Sequence, residues 1–195
     1  MQSTPFHDWL VQLRRHFHQF PELAYREERT AAKIVEVLQD YGVPVMDKIG
    51  GTGVIASLCA QRGGPTVAMR ADMDALPLEE LNDVSYRSRH GGVMHACGHD
   101  AHTAIMLGVV RQLVETGWQE KGAGKVLFIF QPAEEGGAGA RAMLESGVLD
   151  SERIAAIFAG HVQPELPVGR IGFSPDVSNA ASDTIDIRLT GKGGH

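Results

Sequence analysis

The stretch that organises this chain is residues 91–104, which read GGVMHACGHDAHTA. It places a thiol, three imidazoles and a carboxylate within a few residues, next to several glycines. Cys97 and His99 are two positions apart, so both can face one centre only where the backbone is extended or turns, and Gly98 makes that turn easy. Thiolate and imidazole together suit zinc or a related divalent ion. The stretch therefore indicates a metal-binding site, although a buried structural cysteine beside capping histidines would give the same pattern.

The rest of the chain alternates helical and extended patterns, which is typical of an α/β protein. We expect Asp100 to cap the helix that follows Cys97 and His99 and runs to about Thr116. Residues 51–56 match the glycine pattern of a dinucleotide-binding turn, but a strand follows them, so a hairpin is favoured. The predicted helices are 6–20, 27–41, 100–116 and 138–146, and the predicted strands are 43–48, 54–59, 66–70, 125–131, 154–159, 168–173 and 181–189.

Charge and composition exclude some classes of partner. The formal net charge is −6 and the sequence pI is about 5.8, so neither nucleic acid nor an anionic membrane surface is expected as a partner. Since no apolar run approaches about 20 residues, no membrane-spanning helix is predicted. Only two cysteines occur, and the first residues lack the basic and apolar pattern of a signal peptide, so we expect a reducing, cytoplasmic location.

Acidic residues and a histidine follow the predicted buried strands. Asp72 and Asp74 follow the strand at 66–70, Glu134 and Glu135 follow 125–131, and His161 follows 154–159. In open α/β sheets, sites form at the carboxyl ends of the strands. With Cys97 and His99, these side chains could share two divalent ions about 3.5–4 Å apart. Each piece alone has a plainer interpretation: a polar turn, a solvated acidic loop, or a histidine satisfied in the core.

Five segments in order carry a resemblance to a known family. They are RRHFHQFPEL at 14–23, MRADMDALP at 69–77, HACGHDAH at 95–102, QPAEEGGA at 131–138 and GKGGH at 191–195. The chain resembles the dinuclear metallopeptidases of the aminoacylase and carboxypeptidase G kind. Within them it is most similar to the amidohydrolase branch, which includes hippurate hydrolases, N-acyl-amino-acid amidohydrolases and indole-acetyl-amino-acid hydrolases. The resemblance implies a zinc-peptidase-like three-layer α/β sandwich with a mixed, mostly parallel central sheet.

The resemblance also implies roles for single residues. Cys97 would bridge two divalent ions, drawn from zinc, manganese, cobalt or nickel, with His99, Glu135 and His161 as further ligands. Glu134 would be the general base that takes a proton from the attacking water and returns it to the leaving amine. Asp74 matches a carboxylate that orients a ligand.

Further implications concern the substrate and the assembly. The substrate would be a small N-acyl amino acid, hippurate-like, cleaved at its amide bond. The protein would form a homodimer or a higher homo-oligomer. His195 matches a histidine of the family's dimerisation domain that reaches the neighbouring subunit's site and stabilises the oxyanion.

The length of the chain departs from the family pattern. By resemblance, residues 1–177 correspond to the N-terminal part of the metal-binding catalytic domain, and residues 178–195 to the first strand and loop of an inserted dimerisation domain. The family's longer chains supply one more histidine ligand near the C-terminus. We therefore expect these 195 residues alone to be poorly stable or inactive.

Two other functions fit part of the sequence. Asp72-Met73-Asp74 resembles the nucleophile loop of aspartate-based phosphatases, with Asp72 attacking phosphorus. That interpretation leaves Cys97 and the paired glutamates without a role. A non-catalytic module that holds metal is the second alternative, and the retention of Glu134 argues against it.

Overall fold

The computed structural model describes residues 4–173 and 185–194. The helices and strands it contains, in chain order, are α1 (Pro5–Gln19), α2 (Glu28–Asp40), β1 (Val45–Ile49), β2 (Gly53–Cys59), β3 (Arg62–Asp72), α3 (His99–Glu115), α4 (Trp118–Lys121), β4 (Ala123–Gln131), α5 (Gly139–Glu145) and β5 (Ile154–Ala159). These elements confirm the predicted α/β class. The single-turn helix α4 was not predicted from the sequence.

The strands form one mixed sheet in the order β1-β2-β4-β3-β5. Strands β3, β4 and β5 are parallel to one another, whereas β2 pairs antiparallel with both β1 and β4. Strand β2 therefore runs against both of its neighbours, and the described sheet is mixed, as expected, with two parallel and two antiparallel strand pairs. Gly50 and Gly51 adopt positive φ angles of 60° and 112° between β1 and β2, so residues 51–56 belong to a hairpin and not to a dinucleotide-binding turn.

Alternating residues of β4 separate the core into two layers. Phe128 and Phe130 are fully buried on the face that α1, α2 and α3 cover. Leu127 and Ile129 point to the opposite face, where they pack with Met143 of α5. Full burial of a phenylalanine side chain contributes about 1.5–3 kcal/mol. The central strand is thus held from both sides, which fixes the position of the residues that follow it.

The start of α3 differs from the prediction. Gly98, in the left-handed conformation with φ 92°, is the N-cap, and no side chain caps the helix. Asp100 lies in the first turn and is fully buried. Its Oδ2 atom lies 2.7 Å from Arg14 Nε and 2.7 Å from His18 Nδ1. Asp100 therefore does not cap α3, because its carboxylate is engaged by two basic groups of α1.

The chain divides into two units between Val162 and Gln163. The strand predicted at 168–173 is wrong, because those residues are irregular and pair with no strand in the described part of the second unit. Residues 185–189 likewise form no strand there. Strand geometry needs a partner ladder to satisfy its backbone groups. The predicted domain boundary at 177/178 lies outside the described residues.

None of the helices in the described part of the chain combines the length and the apolar character that crossing a lipid bilayer would require.

Candidate metal centre

Three parallel strands deliver the predicted acidic residues and histidine to one edge of the sheet. Asp72 ends β3, Glu134 and Glu135 follow β4, and His161 follows β5. Because β3, β4 and β5 are parallel, their carboxyl ends meet at this edge, and the start of α3 brings Cys97 and His99 to the same place. Three groups of potential ligand atoms, each within 4.8 Å of one another, occur among the described residues: Cys97/His99/His161, Asp72/His99/His102 and His99/Glu134/Glu135.

His99 belongs to all three groups and is almost completely buried. Its Nδ1 atom lies 2.8 Å from the backbone carbonyl of Asp74. A carbonyl oxygen can only accept a hydrogen bond, so Nδ1 carries a proton and donates it. The Nε2 atom is buried and has no hydrogen-bond partner among the residues that the structure describes. His99 is therefore oriented so that Nε2, and not Nδ1, is the ring nitrogen that can bind an ion.

Three carboxylates lie close to that nitrogen atom. His99 Nε2 lies 3.6 Å from Asp72 Oδ2, 3.8 Å from Glu135 Oε1 and 3.9 Å from Glu134 Oε2. Carboxylates this close together repel one another, and a cation between them removes the repulsion. The geometry and the chemistry of these donors fit a divalent ion at this position.

The Cys97 thiol adds a soft ligand beside this group. Its Sγ atom lies 3.4 Å from His161 Nε2. Burial, together with the neighbouring carboxylates of Glu135, Asp72 and Glu134, raises the pKa of the Cys97 thiol to about 12. A negatively charged sulfur atom is therefore costly in the protein alone, and a bound cation would reverse that cost.

Asp74 connects two parts of the cluster. Its Oδ2 atom accepts a hydrogen bond of 3.0 Å from the backbone N–H of Glu135, and its Oδ1 atom lies 3.4 Å from His99 Nδ1. Burial alone would raise the pKa of Asp74, but the nearby His99 ring and the hydrogen bonds from the glutamate backbone hold it below its usual value. Asp74 is therefore an ionised support for both His99 and the Glu134–Glu135 turn.

Glu134 and Glu135 differ in their exposure. The side chain of Glu134 is 39% exposed and that of Glu135 is 24% exposed. Ala133, in the left-handed region with φ 49°, begins the turn that separates them from β4. This turn lets two adjacent carboxylates approach the same nitrogen atom of His99, with Glu134 on the more open side.

Asp72 does not have the surroundings of a phosphatase nucleophile. It is 2% exposed, its Oδ1 atom lies 2.6 Å from His102 Nδ1, and its Oδ2 atom accepts a hydrogen bond of 2.8 Å from Arg70. Both oxygen atoms are engaged inside the protein. The site therefore disfavours the alternative in which Asp72 attacks phosphorus.

Sequence reasoning assigned no role to three residues that support the site. His102 lies between Asp72 and the backbone of Val162, and its distance of three positions from His99 on one helix was the available signal. His18 lies between Asp100 and Glu80. Glu27 is fully buried and accepts a hydrogen bond from the backbone N–H of Ala133. For His18 and Glu27 no spacing in the sequence points to these partners. His195 lies outside the described residues.

These observations define a mixed α/β protein with a candidate metal centre at the carboxyl edge of its parallel strands. Residues 68–192 match the model of Peptidase family M20/M25/M40. The N-acetyl-L-cysteine deacetylase of Bacillus subtilis (strain 168) is 43% identical over 186 residues, which cover 95% of this chain and 44% of that relative. The IAA-amino acid hydrolase ILR1-like 5 of Arabidopsis thaliana is 43% identical over 190 residues, which cover 97% of this chain and 42% of that relative.

A solved structure is also similar. The crystal structure of the Bacillus subtilis YXEP protein, described as a dinuclear metal-binding peptidase of the M20 family, has a TM-score of 0.79 and 44% identity. The match covers 84% of this chain and 45% of that one. The chain belongs to Peptidase family M20/M25/M40, as its motifs predicted, and spans about half the length of the curated relatives it matches.

Proposed function

We propose that the protein hydrolyses the amide bond of a small N-acyl amino acid, with hippurate as the representative substrate. The observation that carries this proposal is the buried Nε2 atom of His99, which faces Asp72, Glu134 and Glu135 and has no hydrogen-bond partner within the described part of the chain. The names of two relatives support the substrate class, because N-acetyl-L-cysteine and an indole-acetyl amino acid both join an acyl group to an amino acid by an amide bond.

The ligand set proposed for two divalent ions is Cys97, His99, Glu135 and His161. Zinc, manganese, cobalt and nickel all suit such a mixture of sulfur, nitrogen and oxygen donors. When bound, divalent ions supply Lewis acidity, which polarises an amide carbonyl and makes water acidic enough to lose a proton near neutral pH. His99 Nδ1 keeps its proton and donates it to the Asp74 carbonyl, so Nε2 is the ring nitrogen that can bind an ion.

Glu134 is proposed as the general base. Its carboxylate is the more exposed of the pair, so a water molecule and a substrate can reach it, whereas Glu135 lies further inside. Glu134 takes the proton of the attacking water and returns it to the leaving amine. Asp74 keeps the turn in place through the Glu135 N–H.

His195 is proposed, on the resemblance alone, to stabilise the oxyanion in the site of a neighbouring subunit. We also infer a homo-oligomer in the cytoplasm.

The test is Glu134→Gln in the complete protein, with Glu145→Gln as the matched control. Glu145 is an exposed glutamate that pairs with Arg141 on α5. Glu134→Gln should keep its metal content and lose at least about 100-fold in the rate of hippurate hydrolysis. Glu145→Gln should behave like the parent. A Glu134→Gln protein that still hydrolyses hippurate, or that no longer holds metal, contradicts the role given to Glu134. N-acetylcysteine and an indole-acetyl amino acid, assayed beside hippurate, test the substrate class.

A further inference from the structure

His102 has two hydrogen-bond partners that together fix its protonation. Its Nε2 atom accepts a hydrogen bond of 2.9 Å from the backbone N–H of Val162, which can only donate. The Nε2 atom therefore carries no proton. The proton of the neutral ring lies on Nδ1, which donates to Asp72 Oδ1 at 2.6 Å. This tautomer is assigned from the partners of the ring.

We propose that His102 is a positioning residue that holds His161 against α3, and that it is not itself a metal ligand. This inference rests on the proposed function, in which His161 is a ligand. The lone pair that a ligand would need, on Nε2, is already used by Val162. Of the three candidate ligand groups, the one formed by Asp72, His99 and His102 therefore serves to support the other two.

His161 needs such support because of its place in the chain. It follows the edge strand β5 and is exposed, whereas Cys97 and His99 lie at the start of a buried helix. The rings of His102 and His161 meet edge to face, with centroids 4.6 Å apart. His102 also holds the amide N–H of the residue directly after His161. A bond at that peptide limits the rotation of the backbone that carries His161.

Val162 makes a second contact, with Gly98 at the start of α3. A side chain at Gly98 would overlap Cγ2 of Val162, so Val162 packs directly on the glycine between Cys97 and His99. His161 Nδ1 lies 2.7 Å from the carbonyl of Val162, which orients Nε2 toward the Cys97 thiol. Arg70, Asp72, His102 and Val162 thus form a continuous hydrogen-bonded chain from β3 to the segment after β5.

Two substitutions test the two hydrogen bonds of His102, to Asp72 and from Val162, one at a time. In His102→Asn, the amide can replace Nδ1–H toward Asp72, but nothing reaches Val162. In His102→Gln, the longer amide can reach Val162, but the Nδ1–H is lost. Thr103→Val is the matched control, because it removes another hydrogen bond between α3 and β3, from the Thr103 hydroxyl to the Asp72 carbonyl at 3.1 Å, and leaves Val162 untouched.

The first measurement is the dissociation constant for Co²⁺ and Zn²⁺ in the complete protein. His102→Asn should weaken binding about 10–100-fold, in the range seen when groups that orient ligands are removed. His102→Gln should weaken it less, and Thr103→Val should stay within about twofold. An equal loss in His102→Asn and Thr103→Val, or in His102→Asn and His102→Gln, contradicts the role given to the Val162 contact.

The second measurement is a double-mutant cycle with His161→Ala. If His102 acts through His161, His102→Asn should cause no further loss of affinity once His161 is removed. A full 10–100-fold loss in that background overturns the proposal and indicates a direct ligand.

The third measurement needs no metal and no substitution. Nitrogen-15 NMR of the histidine rings should show His102 with its proton on Nδ1 and with Nε2 unprotonated. A proton on Nε2 overturns the inference, even in a protein that folds and hydrolyses hippurate. A parent protein that binds no divalent ion would instead overturn the proposed function, and the ring tautomer would still decide whether His102 holds Val162.

Discussion

The Glu27 carboxylate accepts a hydrogen bond of 2.9 Å from the backbone N–H of Ala133, across 106 positions of sequence. Its other oxygen atom accepts one from the Thr52 hydroxyl. Ala133 is the residue with φ 49° that starts the turn carrying Glu134 and Glu135. A fully buried carboxylate near the N-terminus thus holds the backbone of the turn that bears the proposed general base.

Removing that carboxylate should destabilise the protein more than neutralising it. In Glu27→Gln, the amide oxygen can still accept from Ala133, and the amide N–H₂ can donate to Thr52, so we expect a loss below about 1 kcal/mol in the free energy of unfolding. Glu27→Ala leaves the Ala133 N–H unsatisfied and should cost about 2–4 kcal/mol. Urea denaturation of both variants measures the difference, and equal losses would show that the charge matters and the hydrogen bonds do not.

Gly98 should tolerate no side chain. Its φ of 92° is unfavourable for other residues, by about 1–2 kcal/mol. A Cβ atom there would also overlap Val162. Gly92→Ala is the matched control, because Gly92 has φ 73° and open space around it. We expect Gly98→Ala to lower the free energy of unfolding by clearly more than Gly92→Ala does. Similar losses in the two variants would mean that Val162 moves aside without cost.

The two cysteines should differ in reactivity in the metal-free protein. Burial and the nearby carboxylates raise the pKa of the Cys97 thiol to about 12, so almost none of it is thiolate at pH 8, and the thiolate is the reactive form. Cys59 is exposed. We expect iodoacetamide to modify Cys59 at least about 10-fold faster than Cys97, as followed by peptide mass spectrometry. Urea-unfolded protein is the control, in which the two rates should converge. Faster modification of Cys97 in the folded protein would contradict the raised pKa.

His18 should stabilise the protein most at acidic to neutral pH. The hydrogen bond to Asp100, helped by that to Glu80, raises the pKa of His18 against the opposing effect of burial. A group with a raised pKa stabilises the fold while it is protonated. The contribution of His18 is therefore complete below about pH 6.5, its usual pKa when unfolded, and is lost as the pH rises through its pKa in the folded protein.

The measurement is the free energy of unfolding of the parent and of His18→Gln, at about pH 6 and about pH 9. The gap between the two proteins should shrink at the higher pH. His16→Gln provides a control of opposite sign, because burial, with the charges of Lys33 and Arg29, lowers the pKa of His16. A gap for His18→Gln that grows with pH would contradict the assignment of a protonated His18 between two carboxylates.

Local patterns in the sequence were enough to predict the main strands of this protein and the residues that gather at their ends. The continuous apolar run within residues 125–131 predicted a buried strand, and the structure shows that Phe128 and Phe130 face one side of it and Leu127 and Ile129 the other. The placement of Asp72, Glu134 and His161 after such strands predicted their convergence, because the ends of parallel strands meet at one edge. The expectation that Asp100 caps α3 was wrong because capping rules consider only neighbouring residues in the sequence. The Asp100 carboxylate instead pairs with Arg14 and His18, which are far away in the sequence and close in the fold.

Tertiary structure decided which hydrogen-bond partners each of several chemically equivalent side chains has. His99 and His102 lie on one helix, yet Nε2 of His102 accepts a hydrogen bond from Val162, 60 positions away, whereas Nε2 of His99 accepts none from the residues that the structure describes. Asp72 and Asp74 likewise divide their contacts between His102 and the Glu135 backbone. The sequence shows which donors and acceptors exist, but the direction of each lone pair depends on partners that only folding brings within about 3 Å.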